Sequence, residues 1–346
     1  MRATPDDLEA FRRCLEANDL QRSPEQVRWQ FVESPLGSVL VDFAIDPRPQ
    51  GETIAAIYAV VPFAAQIDSQ ESVAAQSLDT LTDARYRGRG LFVTLAKAMY
   101  ARLAKEGVAF VYGFPNENSA HGFFQRLEWH SLDPLPWCFR PLRPSYLLRR
   151  LGIPDRFAAL LDGVRLPQPR VRLPEGCSIR EVRDFDPSVD ALWERFAAGI
   201  RVALRRDAAY LRWRLRRPGA RYRVWALDGR GGICGFVATS LVTSARVTAG
   251  YVMELIYEPG ARELGVALLK HALLELARAG AEVALACNFR HSPNHPAFRR
   301  VGFVPLPWRL RAERVHFGVR PLAAAQSDLL LERESWYLSC CDFDTQ

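Results

Sequence analysis

Thr82-Asp83-Ala84-Arg85-Tyr86-Arg87-Gly88-Arg89-Gly90-Leu91-Phe92 joins a strand-like run, 77–81, to an amphipathic helix pattern that continues to about Lys105. The spacing Arg85-x-x-Gly88-x-Gly90 removes side-chain bulk from the turn, so backbone N–H groups can face an anion. The helix that follows adds the positive end of its dipole. A diphosphate fits such a cradle. The loop lacks the Gly-Lys-Ser/Thr of the P-loop, and it lacks the three spaced glycines and later acid of the dinucleotide fingerprint. A different ligand is implied.

The chain beyond the loop narrows the choice. The helix ends at Gly107, and 108–113 reads as a buried strand. Phe114-Pro115-Asn116-Glu117-Asn118-Ser119 follows, then a short helix closing on Phe124-Gln125-Arg126-Leu127-Glu128-Trp129. Strand, glycine loop, helix, strand, Asn, short helix and terminal aromatic is an order that resembles the GNAT superfamily of N-acetyltransferases. The wording YRGRGLF and GFPNENS is most similar to a bacterial branch associated with surface-polysaccharide and amino-sugar modification. The resemblance implies an α/β fold with a mixed, mostly antiparallel central sheet flanked by helices. It also implies acetyl-CoA or another acyl-CoA as co-substrate.

Length and composition are compatible with that expectation. A chain of 346 residues has room for two domains, each with its own core. No apolar run reaches transmembrane length, and Met1-Arg2-Ala3-Thr4-Pro5-Asp6-Asp7 has no signal-peptide pattern, so a soluble cytoplasmic protein without a membrane partner is expected. The seven cysteines form neither a Cys-x-x-Cys pair nor a zinc spacing, so reduced thiols and no metal are expected. Basic residues number 46 against 39 acidic, a formal charge of +7, and only Lys97, Lys105 and Lys270 are lysines. The arginines are densest at 140–172, yet aromatic interleaving is thin and no nucleic-acid module is present. The positive field suits an anionic substrate or CoA better than DNA or RNA.

An internal repeat sets the architecture. Arg28-Trp29-Gln30-Phe31 has its counterpart in Arg212-Trp213-Arg214-Leu215, and Phe124-x-x-Leu127-Glu128-Trp129 in Phe298-x-x-Val301-Gly302-Phe303. Pro134-Leu135-Pro136-Trp137 returns as Pro305-Leu306-Pro307-Trp308. Two tandem GNAT-like folds are therefore expected: 1–145 carrying CoA binding and catalysis, a Pro/Arg-rich linker over 146–175, and a degenerate copy over 176–346 that shapes the substrate pocket. Where the first copy has its glycine loop, the second has Glu258-Pro259-Gly260-Ala261-Arg262-Glu263-Leu264-Gly265. Two acids there oppose a diphosphate.

Site residues follow from the resemblance. Leu81 and Thr82 would hold the pantetheine arm, one backbone amide polarising the thioester carbonyl. The backbone from Arg87 through Gly88, Arg89 and Gly90 to Leu91 would hold the diphosphate, with Arg85 and Arg89 reaching phosphate oxygens. Asn116 would hold a pantetheine amide or a relay water, or cap the short helix. Transfer to an amine needs a proton acceptor and a donor to the leaving thiolate. Asp79 is the expected acceptor, on a strand whose alternation places Ser77, Asp79 and Leu81 on one face. The position of the superfamily's usual tyrosine holds Phe124, which leaves His121 as a candidate donor, with Ser119 and Tyr112 as lesser ones. The expected partners are an acyl-CoA and a small amine-bearing acceptor; a non-catalytic acyl-CoA-binding module is the alternative. The ending Glu334-Ser335-Trp336-Tyr337-Leu338-Ser339-Cys340-Cys341-Asp342-Phe343-Asp344 resembles that of the same branch and would close against the sheet or reach the acceptor cleft.

Overall fold

Two mixed seven-stranded sheets, each covered by helices, make up the computed structural model, which describes residues 1–48, 51–168, 170–244, 247–307, 315–323 and 327–343. Trp308 and Asp344 of the sequence reading lie outside the described residues. The first sheet runs β1 (Leu40–Arg48), β2 (Gly51–Ile67), β3 (Gln70–Thr82), β4 (Phe110–Gly113), β14 (Gly318–Pro321), β5 (His130–Ser131), and β8 (Val202–Leu204) also pairs with β2. The second runs β13 (Val304–Pro305), β6 (Trp137–Pro141), β12 (Val283–Cys287), β11 (Thr248–Tyr257), β10 (Gly232–Thr243), β9 (Tyr222–Gly229), β7 (Ser178–Val182). All pairings among these strands are antiparallel except β3 with β4 and β11 with β12.

The two sheets exchange strands, and the first also takes β8 from the second half. β14 enters the first sheet between β4 and β5, and β6 enters the second between β12 and β13. Division at 145 and 176 therefore cuts the chain but not the sheets, because each sheet needs one strand from the other half to cover an inner edge that would otherwise expose unpaired N–H and C=O groups. In the linker, Pro144 opens the helix Pro144–Arg150, which ends before Gly152, and helix resumes after Pro154 over Asp155–Ala158.

Periodicity places the helices. On β2, odd residues Ile57, Ala59 and Val61 face the amphipathic helices Leu8–Glu16 and Pro24–Phe31, while Tyr58 and Val60 face the helix Leu91–Lys105. Ser23 starts the second of these by a capping box: its Oγ accepts from Gln26 N at 3.2 Å, and its N–H donates to Gln26 Oε1 at 3.0 Å. Asp207 caps the matching helix Ala208–Arg214 in the other half. One apolar core spans both halves, from Phe11, Phe31 and Phe43 to Trp193, Tyr210 and Phe236. At its junction Trp29 and Trp213 stack with ring centroids 4.5 Å apart and planes 7° apart. Each indole N–H donates to the other residue's carbonyl at 2.8 Å. The repeated Arg-Trp motif is thus the place where the two copies clasp.

Candidate active site

β3 and β4 run parallel only from Ala74↔Phe110 to Ser77↔Gly113, then part. A Cβ on Gly113 would lie 2.9 Å from the Ser77 carbonyl oxygen and 3.3 Å from the Trp129 ring, so only glycine allows the last rung to close. Beyond it opens a cleft of about 710 Å3 lined by 77–82, Arg22, Arg87, Phe92, 113–116, Asn118, Ser119, Gly122, Phe123 and Trp129. Main-chain groups of β3 that would otherwise bond to a neighbouring strand border this opening. An extended amide-bearing ligand can take that place.

A bulge shapes the same stretch of β3. Ala59 pairs with Leu78 but Ile57 with Leu81, so Asp79 and Thr80 together oppose Tyr58, and Asp79 adopts φ +45°. The extra residue reverses the alternation. Ser77 faces Tyr58 and the helix Leu91–Lys105, whereas Asp79 turns to the opposite side, toward Arg22 and Gln30. The single face expected for Ser77, Asp79 and Leu81 is corrected here: the pair Ser77 and Asp79 is split by the bulge, with only Leu81 on the Asp79 side. Asp79 accepts from Arg22 at 2.7 Å through Oδ1 and from Gln30 at 2.7 Å through Oδ2. Among the lining residues it carries the one carboxylate.

The glycine loop has the conformation its residues suggest. Gly88 and Gly90 sit at φ +78° and +74° with open space where a Cβ would project. Gly90 is the N-cap of Leu91–Lys105 without a side-chain cap, so no side chain of that residue competes for the first helical N–H groups. The arginines divide. Arg87 lines the cleft, with Nε 3.5 Å from the Thr82 carbonyl. Arg85 instead grips Asp83 by two bonds of 3.0 and 2.9 Å, which hold the Asp83 carboxyl down at about 2. The Arg89 guanidinium lies 5.1 Å over the Tyr86 ring. Tyr86 in turn donates to Asp46 at 2.5 Å and pins the loop to β1.

The remaining candidates separate as well. Asn116 and Ser119 line the cleft, but Asn116 Oδ1 caps the helix Glu117–His121, accepting from Asn118 N and Ser119 N at 3.1 Å, and the Ser119 hydroxyl turns into that cap. His121 is exposed and does not border the cleft. A π-helical turn, Gly122–Arg126, follows it and sends Phe123 to the cleft, while Phe124 packs against Gly318. Ser77, Arg22, Gly113 and Trp129 escaped the sequence reading as site residues. For Arg22 a signal existed: the spacing from Arg22 to Trp29 equals that from Arg206 to Trp213.

The second half repeats the frame and closes it. β11 bulges at Met253, opposite the step from Ala238 to Thr239, and Glu254, next to the bulge, pairs with Arg206 at 2.7 Å. After the bulge, the Leu255 carbonyl accepts from Asn294 Nδ2 at 2.7 Å. Tyr257 lies over Gly265, where a Cβ would come within 2.4 Å of its ring, and donates to the Pro293 carbonyl at 2.9 Å. Glu258 is engaged by Arg195.

A glycine-loop helix start beside two parting parallel strands, preceded by a bulge, agrees with the comparison of this chain against known families. Residues 1–131 match the acetyltransferase (GNAT) domain. Solved structures extend the likeness of the GNAT fold over both halves. A GCN5-related N-acetyltransferase from Anabaena variabilis superposes with a TM-score of 0.65 at 10% identity, covering 94% of this chain and 73% of that one. A conserved protein from Enterococcus faecalis described as a probable N-acyltransferase gives 0.61 at 13% identity, over 94% and 72%. N-myristoyltransferase of Saccharomyces cerevisiae with bound myristoyl-CoA gives 0.56 at 10% identity, over 92% and 81%. At such identities the likeness shows the fold alone, a GNAT-like α/β arrangement with which two tandem copies are consistent. No curated protein matches by sequence. Among the described residues no helix is long and apolar enough to cross a membrane, and no cluster of His, Cys, Asp or Glu could hold a metal ion.

Proposed function

We propose that the chain is an acyl-CoA-dependent N-acyltransferase working in the cytoplasm, with the cofactor bound in the GNAT domain of the first half. The observation that carries this reading is the cleft between β3 and β4, which runs from the Gly88–Gly90 loop to the Asp79 bulge. The pantetheine arm would lie along Leu81 and Thr82, and the diphosphate against the N–H groups from Arg87 to Leu91, with Arg87 beside it. Asn116 and Ser119 would border the arm on the β4 side.

The acceptor amine would attack the thioester carbonyl directly in a ternary complex, forming a tetrahedral oxyanion that expels the thiolate. Asp79 would take the amine proton, directly or through water. Each of its oxygens already accepts one hydrogen bond but keeps further lone-pair capacity. For the acceptor, a small hydrophilic amine such as an amino sugar or its nucleotide-linked form is supported by the wording of the loop and by the polar rim of the cleft. The wall behind the cleft comes from the other half: Phe343 stacks on Phe114 at 4.3 Å, and Gln76 donates to the Asp342 carbonyl at 3.0 Å. We read the second copy as that wall, without a cofactor of its own.

Calorimetric titration with acetyl-CoA tests the reading. One site is expected, lost by at least a hundredfold in Gly90→Glu, which places a carboxylate at the helix start and a side chain at φ +74°. The pair Glu258→Gln, Glu263→Gln is expected to leave one site unchanged. Tight binding by Gly90→Glu would remove the loop from the site. Binding without thiol release on any amine would favour the non-catalytic acyl-CoA-binding module.

A further inference from the structure

The connection between the two halves turns apolar side chains outward. Leu151 and Leu160 are each 78% exposed and Phe157 51%, and Ile153 and Val164 are exposed beside them in the chain. Elsewhere among the described residues such side chains stand apart along the chain, which is ordinary; five of them between 151 and 164 are not. The local fold keeps them out. The helix Pro144–Arg150 seats Tyr146 against Ala249 and Val283 of the second sheet. Arg149 donates to Asp155 at 2.8 Å and to both oxygens of Asp162 at 2.8 Å, which ties the segment into one compact unit. In that unit Ala158 is fully buried, while Phe157 and Leu160, three residues apart, share the outer side of the same turn.

Cations accompany the apolar residues. Arg150, Arg156 and Arg165 are exposed, and among the described residues none of the three is paired with a carboxylate. The acids of the segment, Asp155 and Asp162, are both engaged by Arg149. The Arg156 guanidinium lies 4.8 Å over the Phe157 ring, so a cation and an apolar ring are presented together. Arg170 and Arg172, also exposed, extend the basic run toward Leu173.

The pairing of apolar tips with unanswered arginines selects the occupant. In a two-fold contact with a second copy the face would meet itself, arginine against arginine, with no free acid to answer either. A nucleic acid would engage the arginines but has no use for Leu151 and Leu160, since bases stack on aromatic rings. An anionic bilayer answers both: its headgroups attract the arginines, and the boundary beneath them takes the apolar side chains. We propose that 150–165 is a membrane-surface anchor for bilayers bearing anionic lipids, with Leu151, Phe157 and Leu160 inserted and Arg150, Arg156 and Arg165 at the headgroups. The sequence expectation of no membrane partner rested on the lack of a spanning run, and a segment that lies in the interface needs none. The anchor goes beyond the acyl-transfer reading and does not depend on it.

The test is co-sedimentation of the full chain with vesicles of phosphatidylcholine and phosphatidylglycerol mixed two to one, against vesicles of phosphatidylcholine alone. Binding is expected to the mixed vesicles, about tenfold or more weaker to phosphatidylcholine alone, and falling with added salt. Phe157→Ser combined with Leu160→Ser should weaken it about tenfold or more, and Arg156→Gln about fivefold. Arg156→Gln keeps the proposal open to disproof if the double variant does not fold. No binding to the mixed vesicles, equal binding to both kinds, or binding unchanged in both variants overturns the proposal. A dimer in sedimentation velocity that Leu160→Ser abolishes overturns it in favour of a second copy. Retention of a DNA duplex without retention of vesicles overturns it in favour of nucleic acid.

Discussion

Each half holds a bulge with an Arg–carboxylate clasp at it, yet only one leaves the clasp beside an open cleft. In the first half Arg22 grips Asp79, and Asp79 borders the space between β3 and β4. In the second, Arg206 grips Glu254 with both side chains fully buried, and Asp342, Ser339 and Tyr337 complete the network. Asn294 and Tyr257 fill the region after the bulge. The shared clasp is architecture: a carboxylate at a bulge needs a cation to offset its burial. What differs is access, and access is what allows one of the two carboxylates to meet a substrate.

The largest expected effect breaks the sealed clasp. Arg206→Met leaves Glu254 and Asp342 buried without their cation and should cost about 3–5 kcal/mol in urea unfolding. Arg22→Met, whose guanidinium is partly solvated, should cost about 1–2 kcal/mol, between the surface and buried limits. Equal costs would mean that the two clasps do the same structural job and that the cleft does not distinguish them. Next in size is Asp79→Asn, which keeps the shape of the side chain and should lower kcat about a hundredfold, roughly 2.7 kcal/mol, with acyl-CoA affinity little changed. Full turnover in that variant would reduce Asp79 to the role that Glu254 plays.

A smaller effect measures the join. Trp29→Ala and Trp213→Ala each remove a stacked ring and one reciprocal N–H bond, and because Trp213 is only partly buried each should cost about 2 kcal/mol by truncation, below the range for a fully enclosed ring. The informative quantity is their coupling in a double-mutant cycle, about 1 kcal/mol. Coupling near zero would mean that the repeated motif is retained for each half's own core and not for their contact.

Much of this comparison was legible in the sequence. The Arg-Trp repeat, the glycine loop and the loss of that loop in the second copy are local patterns, written in adjacent residues. Two features were not. Strand exchange pairs β14 with β4 across two hundred residues, and the short runs 137–141 and 318–321 carry no mark of which sheet they join. The Asp79 bulge reverses side-chain direction, but an inserted residue looks like any other strand residue until its partner strand is known. His121 fell the other way: its place on the short helix suggested the cleft, and the π-helical turn that follows delivers Phe123 there instead.

The smallest effect concerns the clasp within the loop itself, whose counterpart among the described residues of the second half is the exposed Arg195–Glu258 pair. Asp83 is nearly buried, and hydrogen bonds from Arg85 hold its carboxyl at about 2, below its usual 3.8. A depressed carboxyl stabilises the fold in its ionised form. The contribution is therefore fully present above about pH 4 and disappears as pH falls through about 2. Because Arg85 is largely solvated, the gain should be modest, about 0.5–1 kcal/mol. Asp83→Asn should lower stability by that amount at pH 7 and converge with the unmodified protein as the pH approaches 2. If the two differ equally at both pH values, the Asp83 contribution comes from its neutral packing and the ionic clasp adds nothing to the loop.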